Sequence, residues 1–192
     1  ETKGGLVSIA LHLDRHGDAA AATVEMGRAT FQPSALPCTL TIDELIQQPI
    51  EAAGRSLQFT GVSVGNPHCV IFKQPGEAWT REDLLTLGPA LENHSLFPKR
   101  TNVQLAVPTG PKDIVILSSE RGARETQASG SSSCAAASAA VRLGLVKGPV
   151  TVKMPGGTLN IEVAQDFSLT MKGPVAEVAR GALSPSFVRG LK

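Results

Sequence analysis

Glu120–Ala137 reads ERGARETQASGSSSCAAA: an acid/base and turn cluster, then a serine-glycine loop, then the start of an alanine-rich run that continues as CAAASAAVRLG. The run consists of strong helix formers and predicts a helix over Ser132–Leu143, with Gly144 or Gly148 available to end it. Its side chains are small on every side, so strands can approach it closely all round. The expected fold is α+β: a mixed, mostly antiparallel sheet wrapped around a central Ala-rich helix.

Just ahead of that helix, Ser129-Gly130-Ser131-Ser132-Ser133 supplies hydroxyls and backbone N–H groups. A helix start carries unpaired N–H donors and a positive partial charge, so it suits a carboxylate or phosphate. The same serines would equally serve as caps of a buried helix. The loop by itself leaves both readings open.

Around this centre, short stretches rich in Val, Ile, Leu and Thr and bounded by Gly, Pro or Asp predict strands near Leu6–Leu13, Ala21–Met26, Leu57–Val64, Cys69–Phe72, Val103–Val107, Asp113–Ser118, Val150–Met154, Thr158–Val163 and Phe167–Met171. Met154-Pro155-Gly156-Gly157 is a tight turn between two of them. Two further helices are expected. TIDELIQQ, from Thr41, carries a capping-box pattern at Thr41 and Glu44, and Thr80–Leu91 opens on an N-capping Thr80 with acids in its first turn and Leu84, Leu87 and Leu91 on one face. Composition shifts over Pro33–Arg55, which makes residues 33–55 the expected linker or boundary.

With 192 residues, 42% of them apolar and 18% charged, the chain can bury a core in one domain or two small ones. A net charge of +1 and an aromatic content of 4% without Tyr give neither the field nor the stacking platforms that nucleic acid asks for, and favour a small-molecule site. Cys38, Cys69 and Cys134 are odd in number and unclustered, against a disulfide framework or a Cys-rich zinc site and in keeping with a reducing cytoplasm. His12 and His16 stand four apart in a strand-to-turn region, where that spacing does not put both on one face, so no metal is expected. No apolar run approaches the ~18 residues that span a bilayer, and the opening ETKGGLVSIALHLDRHG lacks a signal peptide's basic start and cleavage site, so no membrane partner is expected. The chain opens on Glu1 rather than Met, with a strand almost at once, which suggests that the upstream part of a longer protein is absent. Oligomeric state is left open, a homodimer included.

Polar residues recur where strands break. Gly65-Asn66-Pro67-His68 lies between apolar runs and should present Asn66 and His68 at a strand end, unless it is only a turn. Arg100-Thr101-Asn102-Val103 likewise puts an amide just before a strand. Glu120-Arg121-Gly122 brings out a carboxylate and a guanidinium together; as a lone dipeptide it would be read as a surface ion pair. Taken together with the loop they ask for a zwitterion: carboxylate at the helix start on Gly130 and Ser131, ammonium near Glu120, amides from Asn66 and Asn102.

GNPHCV, TNVQ, ERGARETQASGSSSCAAA, PGGTLNIE and MKGPVAEVARG, in this order and spacing, resemble diaminopimelate epimerase over nearly the whole chain. The resemblance implies two domains of like fold, each a sheet around a central helix, with the ligand between them. On that scheme residues 1–32 with 182–192 are a remnant of the first domain, 33–55 link, and 56–181 form the second. It also implies cofactor-independent interconversion of LL- and meso-diaminopimelate, in the pathway of lysine and peptidoglycan precursors, by two opposed cysteines. One base must remove the α-proton and an acid return one from the opposite face. The family's second cysteine, in an Ala-Cys-Gly-Thr/Ser-Gly loop, falls on Ser129, and Ser132 stands where the family usually has Gly. The first cysteine and its Gly-Asn-Gly loop have no counterpart in these residues. A serine hydroxyl has no accessible anion near neutral pH, whereas a thiol titrates near ~8.5, so Ser129 would bind a ligand better than it would shuttle a proton. Cys134 reads as packing. A non-catalytic relative that binds an amino acid, or acts as a structural or partner-binding module, is the alternative. A serine hydrolase is disfavoured because Gly130-Ser131-Ser132-Ser133-Cys134 lacks the final Gly of a nucleophile elbow.

Overall fold

In a computed structural model, which describes residues 7–191, eleven strands form one sheet with three helices. In chain order the elements are β1 (Ile9–Leu13), β2 (Ala19–Arg28), β3 (Gln48–Ala52), β4 (Arg55–Ser63), β5 (Pro67–Phe72), α1 (Arg81–Glu92), β6 (Asn102–Gly110), β7 (Asp113–Glu120), β8 (Arg124–Thr126), α2 (Gly130–Arg142), β9 (Val150–Met154), β10 (Gly157–Val163), β11 (Ser168–Pro174) and α3 (Pro185–Arg189). The strands run β1-β2-β11-β10-β9-β7-β6-β5-β4-β3 across the sheet, with β8 paired to β7. Neighbours are antiparallel except β5 with β6 and β7 with β9. Each parallel pair needs a crossover. The first is made through α1 and the second through β8 and α2, so both main helices lie over the sheet.

α2 packs against strands from β4 round to β11, and every residue from Ser132 to Ala140 on it is buried. Alanine makes this possible, since strands can close on a helix without long side chains in the way. Cys134 and five alanines of α2 share a core with Val62, Val70, Ile114, Ile116, Val152 and Ile161. The opposite face of the sheet carries a second core under α1, built from Leu84, Leu87 and Leu91 with Phe59, Phe97 and Leu105. α1 starts as its sequence demands: the Thr80 hydroxyl accepts the amide of Asp83 at 3.1 Å and the Asp83 carboxylate accepts that of Thr80 at 3.0 Å.

Thr41–Gln48 forms no helix. Up to Gln47 the segment is irregular, with bends at Ile42–Asp43 and Ile46–Gln47, and the Leu45 amide donates to the Phe31 carbonyl while the Leu45 carbonyl accepts the Gly61 amide. Leu45 is fully buried against Gly61, and Pro49 follows closely. An eight-residue helix with one cap is marginal by itself, so burial of Leu45 decides the backbone. Gln48–Ala52 instead enters the sheet as β3, and β8 is a second strand that sequence reading omits. The 33–55 stretch, expected as a linker, places Leu36, Leu45, Ile50 and Ala52 in the second core. Among the described residues no helix is long and apolar enough to cross a membrane.

Candidate active site

The sheet topology gathers the polar strand breaks at one place. β5 and β6 are parallel and start at the same end; β7 is antiparallel to β6 and finishes there. Asn66 just precedes β5, Asn102 opens β6, Glu120 closes β7, and α2 starts beside them. The sequence-predicted residues therefore converge, although each is held in its own way.

Ser129 is the N-cap of α2. Its Oγ accepts the amide of Ser132 at 3.3 Å and donates to a carboxylate oxygen of Glu120, while its carbonyl accepts the amide and hydroxyl of Ser133 at 3.1 and 2.7 Å. Among the described residues the amides of Gly130 and Ser131 donate to nothing in the protein. They are the two free donors of the helix start, beside a half-buried carboxylate. Close packing fixes the loop: a Cβ on Gly130 would stand 2.9 Å from the Met171 sulfur, and the Ser129 amide points at the Met154 sulfur, 3.4 Å away. The β9–β10 turn is tied in as well, since the Gly156 amide donates to the Gln127 carbonyl at 2.7 Å.

Asn102 faces inward and is 5% exposed. Its Nδ2 donates to the Pro67 carbonyl at 2.8 Å and its Oδ1 accepts the Arg121 amide at 2.9 Å, so it clamps the two site loops together. The Arg121 guanidinium is exposed and donates to the Lys99 carbonyl at 3.1 Å. Behind the turn, the buried Glu92 accepts from the Gly122 amide and from Arg100, each at 3.1 Å.

His68 is fully buried rather than presented at the surface. Its Nδ1 lies 3.2 Å from Gln104 Oε1 and its Nε2 3.0 Å from Asn66 Oδ1, and Gln104 Nε2 donates to Ser132 Oγ at 3.0 Å. Desolvation lowers the His68 pKa from 6.5 to about 4, opposed by the Gln104 hydrogen bond and assisted by the positive Arg121. The ring is neutral at physiological pH. Burial pushes the Cys134 thiol up to about 12 and, with Cys38 nearby, that of Cys69 higher still. Neither thiol is a proton carrier near neutrality.

A cavity of about 500 Å³ lies on the far side of the Glu120–Gly122 turn, between α1 and β8, lined by Leu84, Glu92, Arg100, Gly122 and Glu125. Of its charged lining, Glu92 pairs with Arg100 and Glu125 with Arg81, and Arg124 makes no ion pair among the described residues. The unpaired donors and the Glu120 carboxylate favour the start of α2 as the site.

The diaminopimelate epimerase family model matches residues 60–178. The chain belongs to the diaminopimelate epimerase family. It is 36% identical over 184 residues to the diaminopimelate epimerase of Desulfitobacterium hafniense, covering 95% of this chain and 63% of that protein. It is 40% identical over 185 residues to diaminopimelate epimerase 2 of a Nostoc species, covering 96% and 62%. The chain thus spans a little under two thirds of the length of these curated relatives. Among solved structures, a hydroxyproline epimerase from Agrobacterium vitis aligns with a TM-score of 0.62 at 14% identity over 89% of this chain and 54% of that one. A probable proline racemase from Agrobacterium radiobacter gives 0.60 at 10% identity over 95% and 59%. These likenesses carry the fold.

Within this diaminopimelate epimerase fold, sequence reading passed over Gln104, the link between His68 and α2. A signal for it exists: Asn102 and Gln104 are two apart in β6, so they share the face turned toward α2. In register with Gln104 lie Ser118 and then Thr126, whose buried hydroxyls have no hydrogen-bond partner among the described residues. Glu92 gave no such signal, being one acid at the end of an amphipathic helix.

Proposed function

We propose that this chain supplies one wall of a cofactor-independent amino-acid epimerase site that interconverts LL- and meso-diaminopimelate by two-base α-proton transfer. The observation that carries the reading is the pairing of Glu120 with the cap of α2 beside the free amides of Gly130 and Ser131. A substrate α-carboxylate on those amides would have its ammonium near Glu120, and the helix start would stabilise charge developing at the α-carbon. Asn66 and Arg121 then face the rest of the ligand, and Asn102 and His68 hold them from below. Ser129 takes the place of one of two acid/base groups. On this reading residues 56–181 form the second domain, residues 1–32 with 182–192 belong to the first, 33–55 join them, and the protein works in the cytoplasm.

Ser129→Cys in the full-length protein, followed by α-proton exchange of diaminopimelate in deuterated water, tests the assignment. Exchange well above that of the serine form is expected. Background exchange from a folded variant rejects it. A second reading is favoured by Ser129 itself, whose one hydroxyl proton is committed to Glu120 while its oxygen caps the Ser132 amide: a relative that binds an amino acid without turning it over. Saturable binding of diaminopimelate, with exchange at background in both forms, would establish that alternative.

A further inference from the structure

The chain Asn66–His68–Gln104–Ser132 contains a conflict that fixes its polarity. His68 is fully buried, and its contacts are the amides of Gln104 and Asn66; no carboxylate bonds it among the described residues. A ring so placed is neutral and owns one N–H. Yet carbonyl oxygens, Gln104 Oε1 and Asn66 Oδ1, stand against both ring nitrogens at 3.2 and 3.0 Å. Two acceptors cannot share one proton in this way. Amide oxygen and nitrogen positions are interchangeable by rotation of the group, so one of the two amides is turned.

The surroundings decide which. Gln104 is fully buried and has a second partner, since its Nε2 donates to Ser132 Oγ at 3.0 Å. Asn66 is only half-buried, and its side chain makes no other hydrogen bond among the described residues. Turning Asn66 breaks nothing else, whereas turning Gln104 also requires the Ser132 hydroxyl to reverse.

We propose that Gln104 is a positioning residue that holds His68 in its Nδ1–H tautomer, so that the Asn66 amide donates to His68 Nε2 and turns its carbonyl oxygen outward to the ligand. Oriented this way, Asn66 accepts a hydrogen bond and matches an ammonium rather than a carboxylate. The consequence for ligand choice rests on the proposed amino-acid site; the tautomer does not, because it is a property of the ligand-free protein.

The test is ¹⁵N NMR of the imidazole nitrogens in the ligand-free chain at neutral pH, with His68 assigned by comparison with His68→Gln. The expected spectrum shows Nδ1 protonated and Nε2 bearing the lone pair. Gln104→Glu keeps that tautomer, because its carboxylate accepts from Nδ1–H, and raises the pH at which the ring charges. Gln104→Leu abolishes the preference. A merely space-filling Gln104 would leave the tautomer unchanged in Gln104→Leu, and a dominant Nε2–H form in the unsubstituted protein would mean that Gln104 is the amide that turns; either result overturns the proposal. Should Gln104→Leu not fold, the unsubstituted protein and Gln104→Glu still decide it. Loss of diaminopimelate binding with the Nδ1–H form intact would count against the proposed function alone.

Discussion

The Ser129 hydroxyl donates to the Glu120 carboxylate while capping the Ser132 amide, so one oxygen serves both the helix and the carboxylate beside it. Substitutions there should not follow cap preference alone. Ser129→Ala removes the cap and should cost about 1 kcal/mol. Asp is ordinarily as good a cap as Ser, yet Ser129→Asp would set two carboxylates against each other and should be the worse of the two at pH 7. Adding Glu120→Gln should then recover most of that loss. Urea unfolding of the single and double variants measures the coupling, and an Asp form as stable as the serine form would show that the pair is not in contact.

Asn102 holds a carbonyl on one loop and an amide on another, and it is 5% exposed. Asn102→Ala leaves the Pro67 carbonyl and the Arg121 amide without their partner, each costing about 1–3 kcal/mol when buried, so a loss of about 2–6 kcal/mol is expected. The urea midpoint should fall with little change in slope. A loss within about 0.5 kcal/mol, the range of ordinary surface changes, would mean that water replaces the clamp.

Where local and tertiary forces agree, the sequence was readable. Thr80 begins α1 because cap, acidic first turn and leucine spacing all point the same way, and the alanine run becomes the buried α2. Thr41–Gln48 misled because its capping pattern is local and the burial of Leu45 is not. β3 was hidden by Pro49 and Glu51, and β8 by having only three residues. At the site, position was legible but direction was not: Asn66, Asn102 and Glu120 mark strand ends in the sequence, while the inward turn of Asn102 and His68 depends on strand register. Gln104 shares the face of Asn102 by spacing, and only the register puts it between His68 and Ser132.

Gly156 is required by proximity. A Cβ there would lie 2.8 Å from the Gln127 carbonyl oxygen, the same oxygen that accepts the Gly156 amide. Gly156→Ala must push the β9–β10 turn away from the loop before Ser129, at a cost of about 1–3 kcal/mol. Gly181→Ala is the control, since nothing lies within 4 Å of a Cβ built there, and should change stability by less than about 0.5 kcal/mol. Amide exchange at Ser129–Ser133 should quicken in Gly156→Ala and not in Gly181→Ala. Equal exchange in the two variants would remove the turn from the support of the helix start.

His68 should make stability depend on pH in a stated direction. Its folded pKa, lowered by burial to about 4, lies below the ordinary 6.5, so between these values the unfolded chain binds more protons than the folded one. Stability therefore rises with pH through this window, is fully present above about 6.5, and is lost as pH falls toward about 4. The whole contribution is on the order of 3 kcal/mol. His68→Leu deletes the group and should flatten the slope of unfolding free energy between pH 4 and 6.5 whatever its effect at pH 7. Of the four histidines His68 alone is buried. A slope that survives His68→Leu would place the titrating group elsewhere and leave the neutral ring of the Asn66–His68–Gln104 chain without support.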